Sequence, residues 1–153
     1  MSITSKSGPA HVTVSRKTRF SAAHFYYLPE LSEEENVRKF YGCANRHGHG
    51  HNYEVIVAVS GPIDPETGMV VNLKDLKVIL DEEVVGPMDH KNLNHQVEYF
   101  AERLPTLENI ALYIWGRLTP RMAPFGLTLQ WIKVVENDTL YVEYYGDLHR
   151  DSA

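Results

Sequence analysis

Three histidines alternate with glycine in Arg46-His47-Gly48-His49-Gly50-His51-Asn52-Tyr53. In a strand, alternate residues face the same side. Neighbouring histidines of this tract would then lie about 6.6–6.8 Å apart at Cα. Two imidazoles at that spacing can converge on one ion through metal–nitrogen bonds of about 2.0–2.1 Å. His47 and His51 would be roughly 13 Å apart on a straight strand, which is too far to share an ion easily. The expected metal pair is therefore His49 with His51, and a third ligand must come from another segment. His24, at the end of an earlier strand pattern, is the natural candidate. Three neutral imidazoles leave a tetrahedral ion one open position, the arrangement of catalytic rather than structural sites. A substrate oxygen bound there becomes more acidic. The residue types leave zinc, nickel and iron open. There is no His-Glu-x-x-His motif and no paired-cysteine finger.

Cys43, the single cysteine, lies six residues before His49. A thiol near a cation is partly ionised and can serve as base or nucleophile. Asp89-His90 offers an aspartate that can orient a histidine, and a histidine that can take a proton from a cysteine. Adjacency in sequence leaves that pairing open. Glu136 ends the apolar run Val134-Val135. A carboxylate there can accept two hydrogen bonds from the edge of a flat amino-pyrimidinone ring. Glu108 sits at a helix start, where acids are favoured in any case.

Two long alternating segments must position these groups. Residues 11–23 and 48–62 read as strands, the second closed by Gly61-Pro62. Ser32-Glu33-Glu34-Glu35 reads as an N-cap and acidic first turn of a short helix to about Phe40. Leu73, Leu76, Ile79 and Leu80 recur at helical spacing, which predicts a helix over 73–85, stopped by Gly86-Pro87. Residues 88–105 read as loop. Thr106 caps a third helix, with Pro120 beyond its end. Residues 127–136 and 139–145 read as a hairpin around Asn137-Asp138. The fold class is α+β: a four-stranded, largely antiparallel sheet with helices on one face. Its other face needs cover, and oligomerisation is the economical source.

The 153 residues suffice for one domain with a core, 11–148, behind a short polar tail, 1–10. With 43% apolar and 23% charged residues the composition is ordinary for a globular chain. The net charge of −5 disfavours nucleic acid as a partner. No apolar run is long enough to span a bilayer, and the first ten residues lack a signal-peptide core, so a cytoplasmic location is expected.

Taken together, Phe20-Ser21-Ala22-Ala23-His24, Gly42-Cys43, Gly48-His49-Gly50-His51-Asn52-Tyr53, Gly68-Met69-Val70-Val71-Asn72-Leu73, Asp89-His90-Lys91-Asn92-Leu93, Glu108-Asn109 and Val135-Glu136 resemble the 6-pyruvoyl-tetrahydropterin synthase family. The resemblance runs from about residue 14 to 146. It implies a T-fold, in which three subunits join their sheets into one barrel and two trimers stack as a homohexamer with active sites between subunits. It implies Zn2+ on His24, His49 and His51. Cys43 would be the catalytic thiol assisted by Asp89 and His90, and Glu136 the pterin anchor, with Thr106 and Glu108 nearby. The implied reaction converts 7,8-dihydroneopterin triphosphate to 6-pyruvoyl-tetrahydropterin with release of triphosphate. A related activity, 6-carboxy-tetrahydropterin synthase of the queuosine pathway, uses the same substrate and also releases acetaldehyde. The five residues between Cys43 and His49 match the biopterin-type spacing. A non-catalytic pterin or purine binder on the same fold is a further alternative. Leu107 stands where many members carry a second threonine, and His47 is an additional histidine.

Overall fold

The computed structural model describes residues 8–146. Most of the expected tail, and the last two residues of the expected domain, lie outside them. Strand β1 (His11–His24) pairs antiparallel with β2 (His49–Pro62), which pairs with β4 (Thr128–Asn137), itself hairpinned to β5 (Leu140–Tyr144). A two-residue strand, β3 (Lys91–Asn92), adds in parallel to the outer edge of β1. Among the described residues the sheet therefore has five strands, in the order β3-β1-β2-β4-β5, where four were expected. The extra strand is too short to leave a period-2 signal.

The helices are α1 (Glu33–Phe40), α2 (Leu73–Leu80), α3 (Gly86–Met88), α4 (Leu93–Gln96) and α5 (Leu107–Met122). Alternation in β2 puts Tyr53, Val55, Val57 and Val59 on the core side, all fully buried. Leu76 and Ile79 of α2, and Ile110, Ile114 and Leu118 of α5, pack in the same core. Apolar burial on this one face is the main stabilising term, since each such side chain contributes roughly 1.5–3 kcal/mol.

Two prolines expected to end helices do not. After α2 the chain widens into one π-helical stretch, Asp81–Val85, and continues helically to Met88. Pro87 has no N–H for the carbonyl of Glu83, four residues back. Arg117 Nε donates to that carbonyl instead, at 3.0 Å, and its guanidinium pairs with the Glu83 carboxylate at 2.7 Å. Pro120 lies inside the last turn of α5, and the residue four back, whose carbonyl it cannot serve, is the exposed Gly116. The π-helical widening matters here because it delivers Asp89 and His90 directly from a helix end to the edge of β1.

The hairpin turn is shifted one residue from the expected Asn137-Asp138. Asn137 faces Leu140, so the turn residues are Asp138 and Thr139, and the Asn137 side chain accepts from the Thr139 N–H at 2.9 Å. Val135 faces Tyr141, which leaves Glu136 as an extra residue in a β-bulge. Bulges re-aim side chains and often flank active sites.

Asn36 staples the segment before α1. Fully buried, it accepts from the Leu28 N–H at 2.8 Å and donates to the carbonyls of Leu28, Leu31 and Ser32. Asn36→Ala leaves these groups without partners and is expected to cost about 2–4 kcal/mol of stability. Urea denaturation checks this. A loss under about 0.5 kcal/mol would mean that water replaces the amide.

Candidate metal and active site

The register of β1 on β2 builds the site. His24 faces His49 directly, Ala22 faces His51, and Phe20 faces Tyr53. All three histidines thus point to the core side at one end of the sheet. Their ligand nitrogens lie within 4.8 Å of one another. His47 is exposed in the turn before β2 and takes no part in this cluster.

The side chains fit a cation. His24 is fully buried, and its Nδ1 lies 2.8 Å from the Pro105 carbonyl and 3.1 Å from Tyr53 Oη. A proton on Nδ1, donated to Pro105, leaves the Nε2 lone pair for a metal. Burial lowers the His24 pKa to about 4; the Pro105 carbonyl opposes this, and His49 and His51 add to it. The ring is therefore neutral at physiological pH, as a ligand must be. His24 Nε2 and His49 Nε2 are 3.1 Å apart, close to the roughly 3.3 Å between nitrogens on one tetrahedral zinc. His51 Nε2 is buried without a hydrogen bond among the described residues. Such an orphan is costly unless something outside the chain meets it. Burial holds the His49 and His51 pKa values down as well. Three neutral nitrogens converging in this way could hold a metal ion.

Cys43 and Glu136 border it. Cys43, in the 3-10 turn Tyr41–Ala44, has Sγ 4.0 Å from His49 Nε2. Burial pushes its pKa up, and Glu136 adds to this. Glu136 Oε1 lies 3.5 Å from His51 Nε2, and its Oε2 is buried with no hydrogen-bond partner among the described residues. Burial raises the Glu136 pKa; His49 opposes the rise, and Glu108 reinforces it. The bulge therefore aims a carboxylate into the site with one oxygen still to be satisfied. Thr106 caps α5, accepting from the Asn109 N–H at 3.3 Å, and Glu108 lies in the first turn that follows. Leu107 is 4% exposed and belongs to the core.

Asp89 and His90 do pair, with His90 Nδ1 2.7 Å from Asp89 Oδ2. The Ser21 N–H donates to Asp89 Oδ1 at 2.8 Å and, with His90, holds the aspartate below its usual range. The His90 N–H donates to the Ser21 carbonyl at 2.7 Å, with the backbone at φ 57. This pair sits at the β1–β3 edge, its imidazole 84% exposed. No polar contact among the described residues joins it to Cys43.

The sequence reading missed two contributors. The Pro105 carbonyl, 2.8 Å from His24 Nδ1, has no sequence signature. Tyr26 had one: two residues after His24, its ring falls on the same side and lies 5.0 Å from the imidazole.

A family model described as 6-pyruvoyl tetrahydropterin synthase matches residues 13–147. The chain is 50% identical over 134 residues to the human 6-pyruvoyl tetrahydrobiopterin synthase, covering 88% of this chain and 91% of that protein. It is 41% identical over 133 residues to the Drosophila melanogaster protein of that name, covering 87% and 79%. Among solved structures, Caenorhabditis elegans 6-pyruvoyl tetrahydropterin synthase superposes with a TM-score of 0.83 at 36% identity, covering 90% of this chain and 97% of that one. The Plasmodium vivax structure, at 16% identity and a TM-score of 0.64, supports the fold alone. No described helix is long and apolar enough to cross a membrane. Half-identity to a full-length relative, together with a family match spanning nearly all of the described residues, shows that this chain belongs to the 6-pyruvoyl tetrahydropterin synthase family.

Proposed function

We propose that the chain is a zinc-dependent lyase converting 7,8-dihydroneopterin triphosphate to 6-pyruvoyl-tetrahydropterin with release of triphosphate. The observation that carries this reading is the convergence of His24, His49 and His51, with Cys43 Sγ 4.0 Å from His49 and Glu136 Oε1 3.5 Å from His51. Biopterin-synthase names among relatives at 38–50% identity favour this activity over the queuosine-pathway alternative.

Zinc held by the three imidazoles would supply Lewis acidity to the side-chain hydroxyls and positive charge to the thiol's surroundings. Glu136 anchors the pterin, its unsatisfied oxygen accepting from the ring's amino and N–H edge. Glu108, at the start of α5, adds a second acceptor, and Thr106 a hydroxyl. Cys43 moves protons on the side-chain carbons. The net change is redox-neutral: the ring gains two hydrogens, the side chain becomes a diketone, and the triphosphate leaves with its bridging oxygen. Asp89 keeps His90 in one tautomer, with Nε2 free to exchange protons. Its place at a sheet edge suits delivery to the Cys43 of another subunit. This supports a barrel-forming homohexamer, a dimer of trimers, with shared sites.

Incubation of the metal-loaded chain with dihydroneopterin triphosphate tests the proposal. Triphosphate release with a pterin of 6-pyruvoyl mass is expected. A carboxy-pterin with acetaldehyde would transfer the chain to the alternative reaction. Binding without turnover at full metal content would make it a binder.

A further inference from the structure

Tyr26 is held in the site by three contacts that do not involve its hydroxyl. Its ring stands edge-on to His24, with centroids 5.0 Å apart and planes at 63°. Its far side meets Phe40 of α1 at 5.9 Å. Its backbone N–H donates to the Cys43 carbonyl at 2.7 Å, tying the segment to the turn that carries the thiol. The half-buried phenol lies within electrostatic reach of Glu136, Cys43 and Glu108 together. Among the described residues no hydrogen bond reaches its Oη, whereas its neighbours Tyr27 and Tyr53 bond to Glu33 and His24. Packing alone would be served as well by phenylalanine. A phenol is protonated at neutral pH and can donate, and the groups bordering this one otherwise offer the ligand mainly acceptors.

We propose that Tyr26 is a substrate-binding residue whose O–H donates a hydrogen bond to an oxygen of the bound dihydropterin, beside the metal histidines. The proposal rests on the pterin reading above and extends it to a residue outside the family motifs.

Tyr26→Phe in the metal-loaded full chain removes the hydroxyl and keeps the ring. The expected result is a KM about 3- to 10-fold higher, the size of one neutral hydrogen bond, with kcat nearly unchanged and metal content equal to wild type. Direct titration with 7,8-dihydroneopterin, and with 7,8-dihydropterin, which lacks the side chain, reads the loss of affinity apart from turnover. A loss with both ligands places the acceptor on the ring, and a loss with dihydroneopterin alone places it on the side chain; either supports the proposal. Tyr26→Phe binding as tightly as wild type overturns it, and the more clearly if Tyr26→Leu is impaired, because ring packing would then be the residue's whole role. A wild-type chain that binds pterin without turnover overturns the lyase reading but not this one. A chain that binds no pterin overturns both.

Discussion

Cys43→Ala is expected to lower turnover by about 10²–10⁴-fold, the range of a lost general acid–base, while metal content stays at the wild-type level. The thiol is not among the clustered ligand atoms, but its Sγ stands 4.0 Å from His49 Nε2. In the metal-free chain, burial and Glu136 both hold the thiol protonated. Its activity as a base should therefore depend on the loaded metal, and the rate of the loaded wild-type chain should climb with pH until the thiol is ionised. Cys43→Ser keeps the shape but has a far weaker acid, so it should be nearly as inactive as alanine. Retention of more than about a tenth of wild-type turnover in Cys43→Ala would remove the cysteine from the mechanism.

His24→Ala should abolish stoichiometric metal binding and, with it, turnover. Losing even an outer-shell partner typically costs 10–100-fold in affinity, so losing a ligand should cost at least about 100-fold. Metal analysis after dialysis checks this. The same residue makes a pH prediction for the metal-free chain. Burial brings the folded-state pKa down to about 4, against 6.5 for the free side chain. Above about pH 6.5 neither state binds the proton, and stability is intact. Between 6.5 and 4 the unfolded chain binds a proton that the folded chain refuses, so stability falls as the pH drops. The loss approaches roughly 3 kcal/mol at the low end. Denaturation midpoints at pH 7.5 and pH 5 should differ in this sense for wild type, and less for His24→Gln. Equal midpoints in wild type would show that the imidazole titrates freely.

The two predictions differ in how far the sequence anticipated them. The i, i+2 spacing of His49 and His51 already put both on one face of a strand, because side-chain direction in a strand alternates regardless of neighbours. The need for a ligand from another segment followed from chain reach, and His24 ended the other long alternating segment. Alternation in β1 and β2, the cap at Ser32 and the apolar spacing of α2 and α5 were equally legible, since each depends on residues within a turn or two. The pairing of Asp89 with His90 could not be inferred in this way. It depends on Ser21, 68 residues away, donating to Asp89 and bonding the backbone of His90.

Local patterns by themselves determined the α+β class, the strand faces, the candidate metal ligands and the family resemblance. Tertiary structure alone decided three other features: that His24 faces His49 in register, that Arg117 bonds the carbonyl Pro87 leaves behind as the helix runs on toward Asp89, and that the Tyr26 N–H bonds the Cys43 carbonyl. Each of these is set by a partner far away in the chain. Register and long-range hydrogen bonds are free-energy choices between alternative pairings, and no short window of sequence contains both members of the pair.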